Sequence, residues 1–177
     1  MKSLKFLIAS ICILGMVGMV VGMEVLATET GTVSATVTVK NISVSVIDGA
    51  VAYGTLVVSA TKDTTVDGVN NTQTATNDGN VTETFNIKSA NSTGCVWTLA
   101  VAQGSEEYFH KFCNSGTGSP DPCDAEPVWT ALTASYQELA TGIAASGTSK
   151  FDLQIGVPSS TTCYDQATSE VTIQAII

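Results

Sequence analysis

Side chains able to act as bases, nucleophiles or metal ligands are few in this 177-residue chain, so their spacing decides what they can do. His110 is the only histidine, and any Ser-His-Asp relay must run through it. It alternates with Tyr108 and Phe112 in the aromatic run EYFHKF, where a structural or surface histidine is expected and not a catalytic one. Acids stand close together at Glu106-Glu107 and at Asp121, Asp124 and Glu126. Glycosidase chemistry needs two carboxyls facing each other across a bond. Adjacent acids on a strand point to opposite faces, and the second group falls in a small loop with no evident cleft. Asp63, Asp67 and Asp78 offer oxygen ligands for calcium, but not at the spacing of an EF-hand loop. Neither a phosphate-cradling glycine loop nor a dinucleotide fingerprint occurs. The expectation is a protein that is not an enzyme and carries no metal or cofactor.

Cysteine is the one reactive type present in a telling number. Cys12 lies in an apolar leader, leaving Cys95, Cys113, Cys123 and Cys163. Four cysteines in an exported chain form a disulfide framework. The lack of a Cys-x-x-Cys pair and the single histidine exclude a zinc site of ordinary spacing. Of three possible pairings, the expected one is Cys113–Cys123 with Cys95–Cys163. The residues between Cys113 and Cys123 are loop formers throughout, so their ends meet without disturbing a strand. Cys95 and Cys163 each lie near the beginning of a strand, where both can share one end of the fold.

The leader itself has Lys2 and Lys5 ahead of a long apolar run at residues 6–23, followed by Val25-Leu26-Ala27. Small residues at the −3 and −1 positions predict cleavage after Ala27, making residues 1–27 a signal peptide and 28–177 a single domain. The run exceeds the usual h-region of about 7–15 residues, so an uncleaved membrane anchor is the alternative. Losing Glu24, Lys2 and Lys5 with the leader takes the formal net charge from −9 to −10, and the chain contains no arginine. Such a surface is a poor partner for nucleic acid or an anionic membrane, and it suits a protein kept soluble outside the cell.

The elements that must position these residues read as strands. Residues 91–104, NSTGCVWTLAVAQG, open on a turn and then alternate, with Cys95, Trp97, Leu99 and Val101 on one face. That period-two pattern predicts a central strand against the core. Residues 81–89 place Val81, Phe85 and Ile87 together, with Glu83 as an exception near an exposed end, and the turn at 91–94 joins the two strands as a hairpin. Residues 149–157 align Phe151, Leu153, Ile155 and Val157 until Pro158 stops the run. Residues 32–40, TVSATVTVK, alternate cleanly, and a change of phase at Lys40-Asn41 brings Ile42, Val44 and Val46 onto the apolar side. Asp48-Gly49 is a turn, and 51–60 is extended with a kink at Gly54. Residues 61–80 hold one weak strand near 72–76, 107–112 and 128–133 are short strands, and 169–177 is the last. Residues 113–127 read as loop and 134–147 as connector. About eight strands without an amphipathic helix predict an all-β fold, an antiparallel immunoglobulin-like β-sandwich of Greek-key topology.

Trp97-Thr98-Leu99 in GCVWTLAV, after a strand and a glycine turn, resembles the Gly-Trp-x-Leu-x-Val element of WxL domains, and VAYGTL at 51–56 is similar to a segment near the start of such domains. The resemblance spans about a third of the mature chain. It departs in the last strand, SEVTIQAII, where that family carries a second W-x-L, and in its four cysteines. It implies a secreted bacterial cell-surface sandwich associated with the peptidoglycan envelope.

Export, an all-β disulfide-bonded core and Ser/Thr-rich faces lead to a secreted structural or adhesive protein of the cell surface, partnered by an envelope component or by copies of itself. Two alternatives stand beside it. One is a pilin-like subunit assembling by strand exchange through residues 32–46. The other is a small carbohydrate- or calcium-binding module with Tyr108, Trp129 and the acidic loops as its surface.

Overall fold

The computed structural model describes residues 31–65, 69, 71–116 and 122–177. The expected leader, Asp67 and Asp121 lie outside them. Of two units in the chain, the second, Val39–Ile177, holds every regular element among the described residues. The first contributes only residues 31–38, which have no secondary structure.

Among the described residues ten strands and one helical turn follow in order: β1 (Val44–Ile47), β2 (Thr61–Asp63), β3 (Gln73–Asn77), β4 (Glu83–Ser89), β5 (Thr98–Leu99), β6 (Glu107–Gly116), α1 (Pro122–Ala125), β7 (Thr130–Ala131), β8 (Gln137–Ile143), β9 (Thr148–Gly156) and β10 (Val171–Ile176). Two long strands, β6 and β9, pair antiparallel from Phe109↔Gly156 to Gly116↔Lys150 and form the middle of a seven-stranded sheet. Along the free edge of β9, β2 and β3 lie end to end, with β1 beyond β3. Along the free edge of β6, β5 and β7 do the same. The β5–β6 pair is parallel, so this sheet is mixed and not purely antiparallel. A second sheet, β10-β4-β8, is antiparallel throughout. The result is nearly all β and sandwich-like.

The core lies where both sheets contribute large apolar side chains. Ala75, Phe112, Phe151 and Leu153 come from the first sheet, Phe85, Ile87 and Leu139 from the second, and Leu132 follows β7. Cys95 is buried, whereas Trp97, Leu99 and Ile155 are only half-buried. Val101, expected in the core, is 69% exposed. The cause is that residues 91–97 close on themselves instead of extending. Ser92 N–H donates to the Trp97 carbonyl at 3.1 Å, and Trp97 N–H donates back to Ser92 Oγ at 2.8 Å. Only Thr98–Leu99 then pairs, at a sheet edge, and β4 belongs to the other sheet, so the expected hairpin is a crossing between sheets.

Other departures share one origin, which is that alternation records propensity and not the presence of a partner. Residues 32–40 form no strand, and Val33 and Val37 are 95% and 89% exposed. Conversely, residues 113–116 extend β6, α1 occupies part of the expected loop, and 137–143 form β8 on the single large anchor Leu139. Glu83 is buried, not at an exposed end. Its Oε1 accepts the Ser43 N–H at 3.0 Å, and a Cβ at Gly79 would collide with that oxygen and the Asn41 carbonyl.

Buried on both faces, β9 carries Asp152 into the interior. Three hydroxyls donate to its carboxylate: Thr64 at 2.6 Å, Thr72 at 2.9 Å and Ser115 at 2.7 Å. Thr64 also clamps the backbone beside it, exchanging bonds with Leu153 N–H at 3.0 Å and Leu153 C=O at 2.9 Å. Two disulfides complete the frame. Cys95–Cys163 spans 68 residues with its Cα atoms 5.5 Å apart, and Cys113–Cys123 closes a 10-residue separation with its Cα atoms 6.0 Å apart.

Asp152→Ala leaves the buried Thr64 and Ser115 hydroxyls and the half-buried Thr72 hydroxyl without their acceptor, and should lower unfolding free energy by about 2–4 kcal/mol, read from urea denaturation. Chain entropy ranks the disulfides, with about 4.4 kcal/mol for the large ring and about 2.7 for the small one. Cys95→Ala/Cys163→Ala should therefore lower the melting temperature more than Cys113→Ala/Cys123→Ala, as calorimetry of the two variants will show.

Candidate binding groove

Residues 50–60 leave β1 through Asp48-Gly49, both at positive φ (76° and 56°), the geometry of a tight reversing turn. The segment is pinned at its ends. Asn71 Nδ2 donates to the Ala50 carbonyl at 2.7 Å, and Ser59 N–H donates to the Pro158 carbonyl at 2.9 Å. In the middle Gly54, at φ +74°, turns the chain, and the Tyr53 hydroxyl sits 3.4 Å from His110 Nε2. Among the described residues, the backbone groups of 51–56 make no hydrogen bond.

This segment is one wall of an open groove of about 950 Å³. Tyr108 of β6, Ile155 of β9 and Val157 just after β9 line it, together with Trp97, Thr161 and Tyr164. Trp97 is held by its indole N–H, which donates to Thr161 Oγ1 at 3.1 Å, and Thr161 donates in turn to Glu106 at 2.8 Å. Hydrogen bonds from Thr162 N–H and the Thr161 hydroxyl keep the Glu106 carboxyl below the usual carboxylate range. Val57, Val58 and Tyr164 present apolar surface at 75%, 45% and 84% exposure.

Beneath the groove, Trp97, Tyr108, His110 and Tyr53 form a run of rings with centroids 6.2–6.4 Å apart. His110 Nδ1 lies 3.4 Å from Ser89 Oγ, which contacts Ser169 Oγ at 3.1 Å. The Tyr108 hydroxyl bonds to the Ala90 carbonyl and to Ser169 Oγ. Ser89 and His110 thus meet, but at 2% and 4% exposure both are sealed from solvent, and Tyr53, not a carboxylate, occupies the other ring nitrogen. Burial pushes the Tyr53 hydroxyl up, with Asp63 and Asp152 adding to it.

The other sequence candidates stay apart. Glu107, Asp124 and Glu126 are exposed, while Glu106 is tied to Thr161 and Thr162. Asp63 bonds Thr65, Asp78 is exposed, and among the described residues no three potential ligands gather to hold a metal. Tyr108 is fully buried, unlike the surface residue expected of a carbohydrate module, and the half-buried Trp129 does not line the groove. The groove was missed because its walls come from unpaired segments. The cue available in sequence was a run of apolar residues around Gly54 lacking clean alternation.

Comparison with known protein families, with curated protein sequences and with solved structures gives no match. Among the described residues no helix is long and apolar enough to cross a membrane.

Burial lowers the His110 pKa to about 4, whereas the unfolded ring titrates near 6.5. The ring is neutral in the fold, so its contribution is complete above about pH 6.5 and is lost as pH falls from there to about 4. The loss approaches about 3 kcal/mol. His110→Gln should flatten stability against pH across that window, measured by urea unfolding at a series of pH values.

Proposed function

We propose that this chain is an exported, non-enzymatic structural or adhesive protein of the cell surface. The observation that carries the reading is the pair of disulfides, Cys95–Cys163 and Cys113–Cys123, which suit an oxidising, extracytoplasmic setting. The sealing of the only histidine inside the core supports the absence of catalysis, since a base must reach its substrate. The expected signal peptide, the acidic surface and the resemblance of the Trp97 element to WxL domains support an envelope location. An immunoglobulin-like, Greek-key arrangement belongs to the same proposal. Two packed sheets favour it, and the parallel β5–β6 pair departs from it.

A second reading, a pilin-like subunit assembling by strand exchange, is favoured by the exposed alternating valines of residues 32–39. The exchanging segment is shorter than the 32–46 expected from sequence, because Val44–Ile47 is already paired as β1 with β3 of its own sheet.

Fractionation of the host tests the leading reading. The protein should appear in the envelope or medium, begin at Thr28 on N-terminal sequencing and carry no free thiol. Recovery from the cytoplasm with reduced cysteines would overturn it.

A further inference from the structure

We propose that residues 32–39 of one copy dock as an added strand along residues 51–57 of a second copy. The inference rests on the reading of this chain as a self-associating surface subunit, and it names the two halves of the contact.

Both segments are β-prone and unpaired. The first reads TVSATVTV, with Val33, Val37 and Val39 at 95%, 89% and 78% exposure and no strand partner among the described residues. The second reads VAYGTLV, free of regular structure between two pinned ends and turned at Gly54, with its backbone groups at 51–56 making no hydrogen bond among the described residues and its residues alternating between half-buried and exposed as far as Gly54. Each therefore offers backbone donors and acceptors that an added strand can pair, although the Val39 carbonyl already accepts Asn80 Nδ2 at 2.8 Å.

Length and chemistry match. At about 3.3 Å per residue the arm extends to roughly 26 Å, enough to lie along both limbs of the 51–57 segment on either side of Gly54. Neither contains a charged residue, so pairing desolvates no ion even though the whole chain is strongly acidic. The valines of the first segment, spaced by Ser and Thr, put one apolar face toward the groove wall and leave hydroxyls toward solvent. That face meets Leu56, Val57 and Tyr164, the apolar rim described above. The contact is heterologous, donor on one surface and acceptor on another, so it propagates from copy to copy.

Glutamine substitutions at exposed positions test this without altering net charge. Val33→Gln/Val37→Gln disables the donor, and Val57→Gln disables the acceptor. Far-UV circular dichroism should match the native chain for both. In sedimentation equilibrium the native full chain should form concentration-dependent multimers, and each variant alone should associate about tenfold more weakly or less. An equimolar mixture should give a one-to-one complex, because the donor-disabled copy keeps its groove and the acceptor-disabled copy keeps its arm. A native chain that stays monomeric, including by holding its own arm, overturns the proposal. So do variants that multimerise like the native chain, a result that leaves self-association intact while removing this contact. Failure of the envelope reading shows separately, in the fractionation of the host.

Discussion

A carboxylate held inside a β-protein must be surrounded by donors, and in this fold the need is met from three separate stretches of chain. Asp152 draws Thr64 from after β2, Thr72 from before β3 and Ser115 from the end of β6. Among the described residues it has no cationic partner, so hydroxyl geometry alone compensates its burial. The bonds close the face of β6 and β9 that looks away from the second sheet. With the apolar core on one side and this cage on the other, the central pair is covered twice, and the remaining strands assemble around it.

Double coverage also explains which elements were legible in the sequence. Phe85, Ile87, Phe151 and Leu153 lie on strands whose core face is read directly from period two, and all four are buried. The pairing of Cys95 with Cys163 and of Cys113 with Cys123 followed from loop composition and position. Residues 113–116 were opaque, because Cys113 and Ser115 are buried while Asn114 is exposed and Gly116 half-buried, so the run lacks the large apolar residues whose alternation betrays strands. Residues 32–40 failed in the opposite sense, since perfect alternation has no bearing on whether a neighbouring edge exists.

The groove was less legible than the core. His110 was read as a structural or surface histidine, and it packs in the interior between Tyr53 and Tyr108. What local pattern could not supply was that Tyr53 crosses from the unpaired 50–60 segment to hold that ring, making one structural group of a loop and a core strand. Trp97 was taken as the centre of the fold because large apolar residues usually are. Its place at a groove wall follows from the Ser92 loop and from Thr161, contacts set by residues distant in sequence.

The Cys95–Cys163 bond has a mechanical consequence. Strands β5 to β9 all lie between its two cysteines, so the central pair sits within a covalently closed bracket. Tension applied through the two ends of the chain passes across that bond and not through the β6–β9 ladder. Lengthening of the covalent path is then confined to the strands outside the bracket, β1 to β4 and β10, once β2 and β3 shear from β9 and β4 from β8. A domain strung between neighbours by its ends would behave as a spring with a fixed stop.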